Sequence, residues 1–308
     1  MQFWPRKRAK RILARVRSWP TINQAKPLGF LGYKVGMTHV MAVDNRPKSM
    51  TVNDTIAIPT TIIECPPIKV MGLVFYGYGL SGWHTTATIL ANPLDAELQR
   101  AIQLPKQKSS ATIPDSFDDL RLLVFSQPSL TTIGTKKPTI WELPLGGSKE
   151  EKLAYAQEKL GKEIRVEEVF QGGHLVDIHG VTKGKGFQGT VKRYGVDIRH
   201  HKSEKTKRGI GSLGPWHPKR VMYHVPQPGK MGFHRRTEYN KQILKVGNKP
   251  EELRPNGGFN HYGLIQSPYL LLKGSVPGPT KRLLTLIPAI RPPRKVTKEA
   301  PDIISLAL

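Results

Sequence analysis

Apolar and polar positions divide the chain into short stretches that read as strands, two with helical spacing, and one long stretch with neither period. Gly29 to Val43, residues 60–76, 121–126, 164–170, 174–181, 241–246 and 283–287 are rich in Val, Ile or Leu and predict strands, the first two interrupted by glycine. Two helices are predicted between them. One spans Asp95 to Leu104; the other begins at Ser148, whose hydroxyl can cap while Glu151 reaches back, and runs to Leu160 before Gly161 ends it. Residues 181–240 follow no period and are crowded with turn formers, as in Gly209 to Pro218 and Val225-Pro226-Gln227-Pro228-Gly229. No internal repeat is present. The expected architecture is mainly β: an antiparallel barrel-like body at 29–93, 163–180 and 241–295, a helical insertion at 94–162, a basic N-terminal arm at 1–28, a basic extension at 181–240 and a C-terminal tail at 296–308.

Composition separates the arms from the body. The 308 residues include 29 Gly and 26 Pro, too many for a helical bundle and suited to short strands, turns and extended arms. The formal net charge is +25, a surplus that points to a polyanionic partner. Residues 1–20 carry seven bases (Arg6, Lys7, Arg8, Lys10, Arg11, Arg15, Arg17) and no acid, and residues 181–245 carry sixteen bases against three acids. Together these 85 residues hold +20 of the +25, and the other 223 are nearly balanced. So charged and sparsely apolar a segment cannot bury enough surface to offset its ordering entropy, so it needs a partner to fold against. The single cysteine, Cys65, excludes a disulfide framework and a Cys-rich zinc site and favours a reducing compartment. No run approaches the ~18 apolar residues of a membrane span, and the Arg-rich, Pro-bracketed N-terminus reads as a retained arm, not a cleaved address.

Several motifs invite chemistry that their surroundings do not support. Gly184-Lys185-Gly186-Phe187-Gln188-Gly189 matches GxGxxG, but Thr190 to Gly195 is β-leaning and Glu204, twenty residues after Gly184, lies in no buried strand end. The glycines instead let backbone approach a phosphate chain while Lys183, Lys185, Lys192 and Arg193 supply charge. His200, His201, His217, His224 and His234 cluster without a carboxylate or thiolate at ligand spacing, and nearby Lys and Arg would repel a cation. They suit phosphate donation or base stacking. No nucleophile-elbow pattern is present; neither a catalytic residue, a metal, a cofactor nor a small-molecule substrate is expected.

Trp216 lies between Pro215 and His217-Pro218, in a loop with no apolar period to build a core around it. An indole presented among Lys207, Arg208, Lys219 and Arg220 is what stacking on unpaired bases requires. Trp4 and Trp19, framing the N-terminal arm, permit a weaker version of the same role, whereas Trp83 and Trp141 fall in the balanced body and are expected in its core. Readers of duplex DNA offer a helix or ribbon to a groove, and the basic region contains none. Irregular arms with glycine, arginine and isolated aromatics suit folded RNA. Two other classes stay open on residues alone: an RNA-modifying enzyme, whose mark would be a buried acid, base or cofactor pocket, and a DNA-architectural protein, whose mark would be a recognition element.

With those residues in view, the chain resembles the universal large-subunit ribosomal protein L3 family in its archaeal and eukaryotic form. The likeness runs through Pro5 to Arg11, Arg17-Ser18-Trp19-Pro20, Gly32 to Thr38, Gly184 to Arg193, Gly214 to Pro218, Gly229 to Glu238 and Leu272 to Pro279, in one order over nearly the whole length. Val196 to Lys207 matches loosely. The resemblance implies a translation-protein-like antiparallel β-barrel on the solvent side of the subunit, an inserted α+β portion, and a long extension into the rRNA. It implies early binding near the 3′ part of the large rRNA, ribosomal protein L14 among the neighbours, a cytoplasmic location, and a Trp216 loop approaching the peptidyl transferase region and the path of tRNA accommodation. The residues above, together with Lys202, Lys230, Arg235 and Arg236, are the expected rRNA contacts.

Overall fold

A computed structural model describes residues 4–105, 112–293 and 299–307. Residues 1–3 of the expected arm, 106–111 of the insertion, 294–298 where body meets tail, and 308 lie outside these. The strands in chain order are β1 (Phe30–Val43), β2 (Thr55–Glu64), β3 (Ile68–Gly79), β4 (Gly82–Leu90), β5 (Asp119–Ser126), β6 (Ile140–Pro144) and β7 (Glu163–Ile164). They continue with β8 (Leu175–Val181), β9 (Phe187–Gln188), β10 (Gly229–Lys230), β11 (Arg235–Gly247), β12 (Tyr269–Lys273), β13 (Leu283–Pro288) and β14 (Ile303–Ala307). Three α-helices, α1 (Lys149–Lys159), α2 (Val166–Val169) and α3 (Thr190–Tyr194), interrupt them. The fold is mainly β. Among the described residues no helix is long and apolar enough to cross a membrane.

Proline decides the first division. The stretch 60–76 parts at Pro66-Pro67, which have no N–H for a ladder, so β2 and β3 enter different sheets. In the larger sheet the antiparallel order β13–β8–β11–β12–β2–β1 returns to its start, because Phe30–Tyr33 of β1 pair with Leu283–Leu286 of β13. Beyond that pairing β1 continues against β14, so the C-terminal segment expected as a tail ends in a strand. The second sheet runs β4–β3–β5–β6, with β7 added to β3. The change of sheet falls between Glu64 and Ile68, and 94–162, expected as a helical (α/β) insertion, contributes β5 and β6 to the second sheet besides α1.

Local expectations met different fates. α1 starts at Ser148, which accepts from the Glu151 N–H while the Glu151 carboxylate accepts from the Ser148 N–H. The helix expected over Asp95–Leu104 is only a 3-10 turn at Ala96–Arg100 with Leu98 buried beneath it, too short a run to hold an α-helix on propensity. The strand expected at 164–170 yields β7 and then α2, because Val166 and Val169, three apart, are both buried while Glu167 and Glu168 face outward. β12 has no counterpart among the expected strands: Leu270, Leu271 and Leu272 are all buried, so no alternation marks the strand.

One continuous core joins the sheets. Phe30, Ile62, Leu271 and Leu286 of the larger sheet belong to the same buried cluster as Val70, Phe75, Leu122 and Leu143 of the smaller. Each such side chain contributes roughly 1.5–3 kcal/mol by leaving water. β1 and β2 approach closely at Gly32, where a Cβ would stand 2.5 Å from Ile63 Cγ2 and 2.9 Å from the buried Cys65 Sγ. At the end of β2 the buried Glu64 carboxylate accepts from the N–H groups of Gln266 (2.8 Å) and Ser267 (2.9 Å) and from the Tyr262 hydroxyl. Burial raises the Glu64 pKa, opposed by those three donors.

β8 and β11 lead out of the larger sheet and carry the basic extension with them. Past the Arg235–Val181 pair the two chains stay bonded: Thr182 N–H donates to the His234 carbonyl (3.0 Å), and Lys185 and Met231 N–H groups donate to the Met231 and Gly186 carbonyls (2.9 and 2.8 Å). Then β9 pairs with β10. This root crowds Gly232, which has φ +75° and would place a Cβ 2.1 Å from the Lys183 carbonyl oxygen.

Two outcomes follow. Glu64→Ala orphans the buried Ser267 N–H, the Gln266 N–H and the buried Tyr262 hydroxyl, an expected loss of about 2–5 kcal/mol in chemical denaturation. Glu64→Gln keeps an acceptor. Because the folded-state pKa is raised, the carboxyl's contribution is full below the ordinary carboxylate value and is lost as pH rises through the folded pKa. The stability of the Gln variant minus that of the parent should therefore rise from about pH 4 to about pH 7, and a difference that stays flat or falls would contradict the burial of this charge. Gly232→Ala should loosen the root while sparing the body: tryptic cleavage within 183–230 is expected to accelerate while the unfolding transition of the body persists, and an unchanged digestion pattern would show that the root tolerates a Cβ.

Candidate nucleic-acid interface

Backbone hydrogen bonds strap the N-terminal arm across the root of the extension. Ala9 N–H donates to the Phe233 carbonyl (2.8 Å), His234 Nδ1 meets the Lys7 carbonyl at 2.8 Å, and Arg6 Nη1 donates to the Arg193 carbonyl at 2.5 Å. The two basic segments, far apart in sequence, thus form one surface. His234, one of the expected rRNA contacts, is buried, and its Nδ1 lies against this strap.

Further along the arm, Lys7, Arg8, Lys10, Arg11 and Arg17 are exposed. Trp19 is not presented in the same way: it packs on Trp141 of the core at a centroid distance of 5.6 Å. It anchors the arm to the body. Trp141 is buried as expected, but Trp83, also expected in the core, is 55% exposed. It starts the edge strand β4 and stacks edge-on against Tyr78 at 5.2 Å, with no neighbouring strand to cover it.

The GxGxxG segment turns differently from expectation. Gly189 caps α3, a single helical turn over Thr190–Tyr194 closed by Gly195 at φ +72°. Tyr194 accounts for the helical choice: Arg6 lies over its ring at 4.1 Å and Arg193 at 4.9 Å, contacts a strand would not gather. No second strand of a dinucleotide fold follows. Arg193 braces the root by donating to the Gln227 and Lys230 carbonyls at 2.6 and 3.3 Å, while Lys183, Lys185, Lys192 and Lys230 remain exposed.

From Val196 to Pro228 the extension has neither helix nor strand. A few bonds shape it: Arg199 N–H donates to the Lys207 carbonyl (3.0 Å), and the Arg199 guanidinium to that of Ile210. His200 and His201 rings lie 4.0 Å apart and are exposed, as are Lys202, Lys207 and Arg208. Every residue from Gly211 to Val221 is exposed, including His217, Lys219 and Arg220, and Trp216 reaches 81%. Of the nineteen exposed large apolar side chains among the described residues, nine lie on the two arms. Phe187 and Tyr223 are among them and were not singled out from sequence, although an aromatic within a basic, aperiodic loop is the same signal that marks Trp216.

Several body cations are paired: Lys69 with Asp95, Arg121 and Lys152 with Asp119, Lys159 with Glu168 and Lys245 with Glu252. Among the described residues, Arg6, Lys183, Lys185, Lys192, Arg193, Lys207, Arg208, Lys219 and Arg220 have no carboxylate within 4.0 Å. Arg235 is exposed and Arg236 half-buried. Burial, then the charge of Arg6, lowers the Arg236 pKa. Cations held this close together call for an external anion.

Comparison with known proteins gives the family. The family model described as Ribosomal protein L3 matches residues 1–112 and 106–306. The chain is similar to the protein named large ribosomal subunit protein uL3 from Methanocaldococcus jannaschii, 48% identical over 97% of this chain and 92% of the relative. It is similar to the proteins of the same name from Archaeoglobus fulgidus (47%, covering 96% and 91%) and Methanothermobacter thermautotrophicus (46%, covering 98% and 93%). With root, strapped arm and exposed loop carried on a fully matched chain, the protein belongs to the ribosomal protein L3 family, in its archaeal form.

Proposed function

We propose that this protein is a structural constituent of the large ribosomal subunit that binds large-subunit rRNA with both arms. The observation that carries the reading is the concentration of exposed cations on the two arms: Lys183, Lys185, Lys192, Lys207, Arg208, Lys219 and Arg220 of the extension face solvent with no carboxylate within 4.0 Å among the described residues. The returning ring of six strands is read as an antiparallel barrel of translation-protein type on the solvent side of the subunit, with the second sheet and α1 as the inserted portion. The extension enters the rRNA near its 3′ part and carries Trp216 toward the peptidyl transferase centre and the path of tRNA accommodation. Binding comes early in subunit assembly, and L14 is among the protein neighbours. The protein is not an enzyme; it neutralises and positions, in the cytoplasm with the subunit. The bases expected to do so run from Arg6 to Arg17 in the arm and from Lys183 to Arg236 in the extension.

Phosphate neutralisation sets a quantitative expectation. Affinity of the purified protein for large-subunit rRNA should fall steeply with salt, with a log–log slope of about −0.7 to −0.9 per phosphate contacted. The double change Lys183→Gln with Lys185→Gln should reduce the slope by about 1.5. A flat response in the parent would remove the basis for the arms' role. Trp216→Ala should leave the body's unfolding unchanged, since the indole is 81% exposed, and slow subunit assembly or alter tRNA accommodation; loss of the folded body instead would mean that the indole belongs to a core.

A further inference from the structure

We propose that the junction of the two arms is a binding pocket for one unstacked RNA nucleotide, its base against Trp4 and Tyr223 and its phosphate at Arg6. The proposal rests on the rRNA-binding reading and assigns it a site. A cleft of about 360 Å³ opens where Trp4 and Arg6 of the N-terminal arm meet Arg193, Tyr194, Met222 and Tyr223 of the extension. Its volume suits a single nucleotide and not a duplex.

The walls are of two kinds. Trp4 and Tyr223 have ring centroids 5.3 Å apart at 45°, yet are 50% and 66% exposed. Two tilted rings with open faces, backed by Met222, offer the flat apolar surface on which a base stacks. Beside them the Tyr194 ring carries two guanidiniums. Arg6 spends Nη1 on the Arg193 carbonyl, but Arg6 and Arg193 both line the cleft and neither has a carboxylate within 4.0 Å among the described residues. Two guanidiniums at one cleft without a carboxylate are a place for a phosphate. A free phosphate would leave the aromatic wall unused, and an apolar side chain would leave the cations unpaired. A nucleotide satisfies both, and the exposed Lys7, Arg8 and Lys192 flank it for adjoining phosphates.

The test uses the full-length protein and transcribed archaeal large-subunit rRNA. Trp4→Ala and Tyr223→Ala should each weaken binding about 5- to 100-fold at fixed salt while leaving the salt slope unchanged, because stacking releases no counterions. Trp4→Phe and Tyr223→Phe should restore most of the affinity. Ultraviolet crosslinking of the parent should join the peptides bearing Trp4 and Tyr223 to one nucleotide position. If the parent binds with a steep salt slope and the alanine variants bind equally well, the pocket is refuted while the rRNA reading stands. If the parent shows no salt-dependent rRNA binding, the functional reading fails and takes the pocket with it. Crosslinks from these peptides to a neighbouring protein in assembled subunits, with none to rRNA, would likewise overturn the nucleotide as occupant.

Discussion

Like charge held at short range is the constraint around which this chain is arranged. Two unit charges a few ångströms apart near a protein surface interact by several kcal/mol, so cations cannot be packed together inside a self-sufficient fold. The body keeps acids and bases nearly in balance and pairs some of them: Lys152 reaches Asp119 at 2.9 Å and Lys159 reaches Glu168 at 2.7 Å. Individually these half-exposed pairs contribute little stability. Their consequence is electrical, since they leave the body nearly neutral and able to rest on its apolar core. The arms break the limit, gathering Arg6, Arg193 and Arg236 around one ring and one strap with no carboxylate partner for Arg6 or Arg193 among the described residues. Such a surface is complete only with an anion.

What holds the arms in place is mostly backbone, and that choice follows from the same constraint. Amide and carbonyl groups bond without adding charge, so Thr182–His234 and Lys185–Met231 can close the root of the extension, and Ala9–Phe233 can tie the arm to it, where ion pairs would consume the cations that the proposed ligand needs. Of the candidate set, His234, Arg6 and Arg193 are drawn into this joint by their side chains, and His234 is buried there. Glycine completes the arrangement. At Gly232 the backbone runs against the Lys183 carbonyl with no room for a Cβ, which brings the two chains of the root close enough for their hydrogen bonds to form.

The division between body and arms was legible in the sequence because charge and periodicity are local properties. Residues 181–240 announced themselves by lacking any period, and the strand at Leu175–Val181 by its β-branched run. The sheet memberships were not legible. Nothing in residues 60–76 tells which side of Pro66-Pro67 will pair with β12 and which with β5, since pairing is decided by strands far along the chain. β12 escaped because burial on both faces erases alternation. α2 and α3 escaped for another reason: Val, Thr and Tyr favour strands on propensity, and tertiary contacts, the buried Val166 and Val169 in one case and the stacked Tyr194 in the other, overrode it. The strap between arm and extension was also hidden, because two separate basic segments carry no signal that they will meet.

The tryptophans show where inference from context holds and where it fails. Trp141 and Trp83 both lie in balanced, apolar surroundings, yet one is core and the other sits on an open edge, because position in a sheet is not encoded in the neighbouring residues. Trp216 could be read correctly from its surroundings alone, since an aperiodic Gly/Pro loop offers nothing to bury it in any fold. Exposure has a different meaning in each case. Trp83 finds a neighbour in Tyr78 and lies in a region whose charges are paired. Trp216 stands 81% exposed among unpaired cations, a state that costs hydrophobic free energy without compensation inside the chain. A side chain kept in that state by the covalent path of its loop gains its stabilisation only from a partner that offers a flat apolar face and negative charge together, and unpaired nucleotides offer both.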